Sequence, residues 1–381
     1  MGYLPSNAQT LIILRQKWVM WSILGVLQWL VFFSWLQTWW EYPYPLRWLL
    51  ISGLALSYLL WIFWLSLPDN HRPGERNLQP TLGLGNSISI MRGFILVLFC
   101  GFLFSPWPDS GWKAWLPGLL YTLAVLPDFV DGIAARMTNH ITKLGETLDI
   151  SIDSLGVLSV SLLSVQYRQV PWWYLSVGLA RYFFLTGIWL RQKLKLPVYD
   201  LPFSVRRRGY AALAMGLFLV ILYPIFKPPG TYIVATIFAI YILGGFLWDW
   251  LATIGWLPTK PEEKYLRYEN LIVKYVPLFL RFLLILWGFA PFLTDSLTQI
   301  RSPVFWLEAG VVLCLILGIA GRVMAIAALM ILGTFQSAAP LDTFQLGLIV
   351  IYTNLLFLGT GKFSLWSVED RLIFYRVGDR R

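Results

Sequence analysis

The sequence predicts an all-α, polytopic integral membrane protein with about twelve transmembrane helices, grouped two, six and four, and both termini cytoplasmic. Three observations predict it. The chain has 381 residues, of which 57% are hydrophobic and only 13% charged; soluble domains carry about 25% charge. Apolar runs long enough to cross roughly 30 Å of hydrocarbon as helix recur along it, and no alternating pattern points to a barrel. With the N-terminus inside, the outer loops hold Arg47, Lys113, Arg168, Lys227 and Arg301, Arg181 and Arg281 lie within helices, and the remaining 23 of 30 Lys and Arg fall inside. That asymmetry follows the positive-inside rule.

The segments come in three groups. Residues 1–66 hold runs at 18–37 and 47–66, rich in aromatic residues and free of ionisable groups at mid-span. The first run is longer than a signal-peptide core and has no small-residue cleavage site, so it reads as a retained helix. The loop "PDNHRPGERNLQPTLGLGN" (68–86) then opens a six-helix domain at 67–257, with runs at 88–105, 114–132, 147–165, 171–190, 209–226 and 231–256. A charged, twice-proline linker, "PTKPEEKYLRYEN" (258–270), leads to a four-helix domain at 271–381 with runs at 275–294, 303–319, 322–338 and 344–360. Pro, Gly and charge mark both boundaries. The net charge of +10 is explained by this topology and by anionic headgroups; no soluble basic domain for nucleic acid is visible. Cys100 and Cys314 lie in apolar runs without metal spacing, and His71 and His140 are too far apart for a metal or haem site.

One stretch breaks the apolar pattern. In "DFVDGIAARMTNHITKLGETLDISID" (128–153), Asp128, Asp131, Gly132, Ala135 and Arg136 share one helical face, and Gly145, Asp149 and Asp153 share a face of the next helix. The intervening loop is cytoplasmic, so the two faces can meet about two turns inside the membrane surface, with small residues permitting close approach. Four carboxylates at that depth repel one another and need positive compensation. Hard divalent cations prefer oxygen ligands; two of them would balance four aspartates, as in sites that stabilise displacement at phosphorus. Arg136 adds a donor fork suited to phosphate. The composition of the site points to phosphoryl chemistry.

The string D-x2-D-G-x2-A-R-x8-G-x3-D-x3-D resembles the signature of the CDP-alcohol phosphatidyltransferase family, and the resemblance covers roughly residues 80–257. It implies a six-helix core that transfers a phosphatidyl group from CDP-diacylglycerol to an alcohol and releases CMP. It further implies two Mg²⁺ ions (or Mn²⁺) at Asp128, Asp131, Asp149 and Asp153, with Asp153 as general base. Arg136 would hold the diphosphate, with Gly132, Ala135 and Gly145 letting nucleotide and backbones approach. Asn86 and Arg92, in "GLGNSISIMRG", match residues that relatives carry near the nucleotide. A homodimer in the inner membrane, with its site facing the cytoplasm, is also implied.

Arg181 lies inside an apolar helix, Arg191 at that helix's inner end, and Arg206, Arg207 and Arg208 follow in a loop. A membrane-embedded arginine faces an interior or a wet cavity and wants an anionic partner. An acceptor carrying its own phosphate fits, glycerol-3-phosphate first and inositol phosphate second. Residues 271–381 resemble the DoxX-like four-helix membrane family, including "GTGKFSL". Two rival functions remain at this level. A transporter of divalent cations or solutes would use the aspartates but wants repeat symmetry and broken helices near the midplane. A redox-linked subunit would use the C-terminal helices, which lack ligand spacing.

Overall fold

The computed structural model describes residues 7–75, 77–108, 111–127, 142–200, 213, 215–257, 263–287, 303–336 and 342–366. It is all helical among these residues, apart from one isolated parallel bridge between Ile319 and Trp366. The α-helices are α1 (Asn7–Leu36), α2 (Tyr44–Ser66), α3 (Gly83–Cys100), α4 (Leu116–Val125), α5 (Lys143–Gln166), α6 (Leu175–Lys193), α7 (Gly230–Thr253), α8 (Glu263–Trp287), α9 (Pro303–Leu317), α10 (Gly321–Gln336) and α11 (Thr343–Leu358). A further helical stretch covers 215–221. Five spans among the described residues are long and apolar enough to cross a bilayer: Asn7–Leu36, Tyr44–Asp69, Gly83–Cys100, Lys143–Gln166 and Gly230–Thr253. This is an integral membrane protein built from helices.

Several helices run past their apolar segments. The run 18–37 sits in a helix that begins at Asn7, and the run 275–294 in one that begins at Glu263. Hydropathy marks the part of a helix that lies in hydrocarbon. Backbone hydrogen bonding continues through polar residues at the headgroup level, so the stretch 258–270 is helical from Glu263 onward.

The chain divides into two units, Met1–Arg168 with Phe218–Tyr223, and Gln169–Leu217 with Pro224–Arg381. In the first, α3 packs against α2, α4 and α5, and α1 against α2. Aromatic rings here lie against glycines. Trp48 is fully buried on α2 and its indole Nε1–H donates to the Leu98 carbonyl at 3.0 Å. A Cβ on Gly101 would collide with that indole, and one on Gly25 would come within 2.6 Å of the Phe94 ring. Trp29 covers Gly53 and donates to Ser52 Oγ at 2.8 Å. Without a water-driven force between helices in lipid, such close packing and indole hydrogen bonds hold the bundle.

In the second unit α7 packs against α6 and α11, and α11 also against α8 and α10. Tyr241 stacks on Phe357 with ring centroids 4.4 Å apart, and its hydroxyl donates to Asn354 Oδ1 at 2.9 Å. Arg281, 6% exposed on α8, spends its donors on carbonyls: Nε and Nη2 on Ile316, Nη1 on Thr360 and Lys362 at 3.1 Å each, and Nη2 also on Phe363 at 3.3 Å. The chain after α11 is thereby tied to α8 and α9.

Gly101→Val tests the first of these packings. It should displace Trp48 and lower stability by about 1–3 kcal/mol, the usual cost of overpacking. The readout is a lower thermal midpoint in detergent, with a red-shifted tryptophan emission.

Candidate active site

The site is built where α3 meets the start of α5. Thr142 precedes α5 in an extended conformation (φ −127°, ψ 154°), and its hydroxyl accepts from the Gly145 N–H at 3.2 Å. That satisfies one of the otherwise orphan amides of the first turn. The same hydroxyl accepts from Asn86 Nδ2 of α3 at 2.9 Å, a buried contact. Gly145 is required here, because a Cβ would run into the Asn86 Oδ1. Asn86 therefore joins the two helices at their common end.

Farther along both helices, Arg92 of α3 faces Asp149 and Asp153 of α5. Its Nη1 donates to Asp149 Oδ1 at 2.9 Å and its Nη2 to Asp153 Oδ1 at 2.8 Å. Its Nε donates to the Ala124 carbonyl of α4 at 3.1 Å. Arg92 is only 3% exposed, while the side chains of Asp149 and Asp153 are 43% and 24% exposed. The two acids lie one helical turn apart on one face, where like charges repel. One guanidinium, clamped by a carbonyl behind it, bridges both.

Asp128, Asp131, Gly132, Ala135 and Arg136 lie outside the described residues, as do Arg206, Arg207 and Arg208. Of the residues singled out in the sequence, the structure brings together Asn86, Arg92, Gly145, Asp149 and Asp153. Arg92 meets the aspartates directly, at the centre of the cluster. In the second unit, Arg181 is half-buried on α6 and has no hydrogen-bond or ion-pair partner among the described residues. Arg191 donates from Nε and Nη2 to the Pro197 carbonyl at 3.2 and 2.8 Å, closing the turn after α6. The sequence reading missed Thr142. A Thr just before a helical run is an N-cap signal, and it was available.

The donor set suits a divalent cation. Asp149 and Asp153 offer carboxylate oxygens one helical turn apart, and the Asp149 carboxylate is open enough to take a further ligand. Hard oxygen donors of this kind are what magnesium and manganese take. Among the described residues no three His, Cys, Asp or Glu side chains converge; Asp128 and Asp131 lie outside them.

With this geometry in hand, the comparisons are informative. Residues 82–256 match the family model for CDP-alcohol phosphatidyltransferase. The phosphatidyltransferase-like region thus contains every residue of the cluster. The chain is 31% identical over 114 residues to the CDP-diacylglycerol–glycerol-3-phosphate 3-phosphatidyltransferase of Bacillus subtilis, covering 28% of this chain and 59% of that protein. A protein of the same name from Rickettsia bellii is 34% identical over 100 residues, covering 26% of this chain and 54% of its own. A Mycobacterium tuberculosis protein named "Putative cardiolipin synthase" is 28% identical over 121 residues, covering 31% of this chain and 56% of its own. The chain spans a little over half the length of these relatives. No solved structure matches it.

The Asn86–Thr142–Gly145 junction predicts strong coupling. Asn86→Ala and Gly145→Ala should each cost about 1–3 kcal/mol by breaking one buried hydrogen bond. The double variant should cost little more than Asn86→Ala alone, since the methyl then meets no amide. Denaturant titration of the three variants measures this. Additive losses would contradict the shared junction.

Proposed function

We propose that the phosphatidyltransferase-like region transfers a phosphatidyl group from CDP-diacylglycerol to an alcohol and releases CMP. The observation that carries this reading is the eight-position aspartate motif together with the clamping of its last two acids by Arg92. In the reaction the acceptor hydroxyl oxygen attacks the phosphorus that bears the diacylglycerol. The bond from that phosphorus to the bridging oxygen of the diphosphate breaks, and CMP departs with the electron pair. Asp153 takes the hydroxyl proton in this reading, and Arg136 is the residue for the diphosphate. Asp128, Asp131, Asp149 and Asp153 would hold two magnesium ions, or manganese, which when bound would supply charge neutralisation at phosphorus. Arg92 keeps Asp149 and Asp153 in one orientation, which limits the reorganisation needed on binding.

Glycerol-3-phosphate is the best acceptor and inositol phosphate the second. Two of the relatives reported above are named for glycerol-3-phosphate. Arg181, half-buried and without a partner among the described residues, suits an acceptor that brings its own phosphate, together with Arg191 and the triplet Arg206–Arg208. The site opens to the cytoplasm and the inner leaflet, so that acceptor and CMP exchange with water while acyl chains stay in lipid. The chain works as a homodimer, and the C-terminal DoxX-like helices serve a partner or lipid-handling role.

Purified protein given CDP-diacylglycerol and a panel of alcohols should release CMP in a magnesium-dependent way, fastest with glycerol-3-phosphate. Asp153→Asn should lower kcat by about 10²–10⁴-fold, the usual contribution of a general base. Arg181→Gln should raise the KM for the phosphorylated acceptor and leave kcat nearly unchanged. Full turnover by Asp153→Asn would remove the assigned base, and no CMP release with any acceptor would remove the activity.

A further inference from the structure

Positive charge gathers beside an apolar groove on the second half of α8. Tyr275, Leu278, Phe279, Phe282 and Ile285 of α8 line it, with Ile316 of α9 and Arg281. The groove has a volume of about 400 Å³, within the roughly 300–1,000 Å³ range of sites for small ligands. Those five α8 residues recur at helical spacing and form a single stripe. The stripe is not covered: Phe279 and Phe282 are 59% and 54% exposed.

The rim is basic. The Lys362 N–H donates to the Lys274 carbonyl at 3.1 Å, which places both residues at the same end of the groove. Both side chains are exposed, and neither has a carboxylate partner among the described residues. The Lys362 ammonium lies 5.8 Å from the Tyr275 ring centroid and 4.9 Å from that of Phe363. Arg281 adds a third positive charge, met among the described residues by carbonyl dipoles. Phe363, Leu365 and Trp366 project from the same loop, each more than half exposed. Exposed aromatic rings among lysines are what a chain presents at the headgroup level of a membrane.

We propose that this groove binds one anionic phospholipid, with its phosphate at Lys274 and Lys362 and an acyl chain along the α8 stripe. Charge complementarity selects an anion, and the long apolar lining selects a lipid over a soluble phosphate. The proposal stands apart from the catalytic reading, since none of these residues belongs to the aspartate cluster and the site needs no turnover.

Native mass spectrometry of the full chain, titrated in detergent with phosphatidylglycerol or with phosphatidylcholine of the same chains, tests it. One phosphatidylglycerol should be retained at concentrations where phosphatidylcholine is lost. At about five-fold per basic residue at a membrane surface, Lys274→Gln/Lys362→Gln should weaken phosphatidylglycerol binding about 30-fold and leave phosphatidylcholine unchanged. Lys274→Arg/Lys362→Arg should restore it, and Lys195→Gln, in the loop after α6, should have no effect. Ile316→Trp should weaken binding of both lipids by filling the groove. Circular dichroism and size exclusion confirm that each variant is folded. Equal retention of the two lipids by the parent protein, or undiminished phosphatidylglycerol binding by the folded double glutamine variant, overturns the proposal.

Discussion

Asp149 and Asp153 stand one turn apart on α5 and repel one another, and Arg92 spans both from α3. The consequences extend through the first unit. A guanidinium that is 3% exposed cannot be left without anions, because an unpaired buried charge costs several kcal/mol. Its Nε is also held by the Ala124 carbonyl, so α3, α4 and α5 are drawn to one point. Pairing these acids with a rigid planar donor keeps two like charges close without scattering their side chains. A lysine could reach one carboxylate but would not span two with fixed geometry.

The second unit treats its buried cation differently. Among the described residues Arg281 meets no acid; it is solvated by the carbonyls of Ile316, Thr360, Lys362 and Phe363. Those carbonyls lie at the end of α9 and in the chain after α11, where the backbone has left helical pairing and its acceptors are free. Gly361, at φ +68°, has room for no side chain against the Lys274 carbonyl and Pro277, so the loop comes close enough to α8 for these bonds.

Much of this was legible beforehand, and the limits were physical. The apolar runs located α2, α3, α5 and α7 to within a few residues, because desolvating a helix in lipid demands an unbroken apolar stretch. They do not mark the polar starts of α1 and α8, which are helical without belonging to an apolar run. At the site, the spacing of Gly145, Asp149 and Asp153 put them on one face, as found. The family resemblance puts Arg92 near the nucleotide, while its position on α3 alone says nothing about which neighbour it meets; its contact with residues 57 and 61 positions away is a fact of packing.

The sequence by itself determined the solvent of this protein, its helical class, the face that carries the acids and the chemistry those acids favour, since each depends on residue type and on the local 3.6-residue period. Only the tertiary structure decided what compensates the charges. That choice depends on which helices touch and at what height, a sum of many glycine and aromatic contacts that no local pattern encodes. Arg92 came to hold Asp149 and Asp153, Arg281 came to hold carbonyls, and Lys274 and Lys362 remained available at the mouth of a groove.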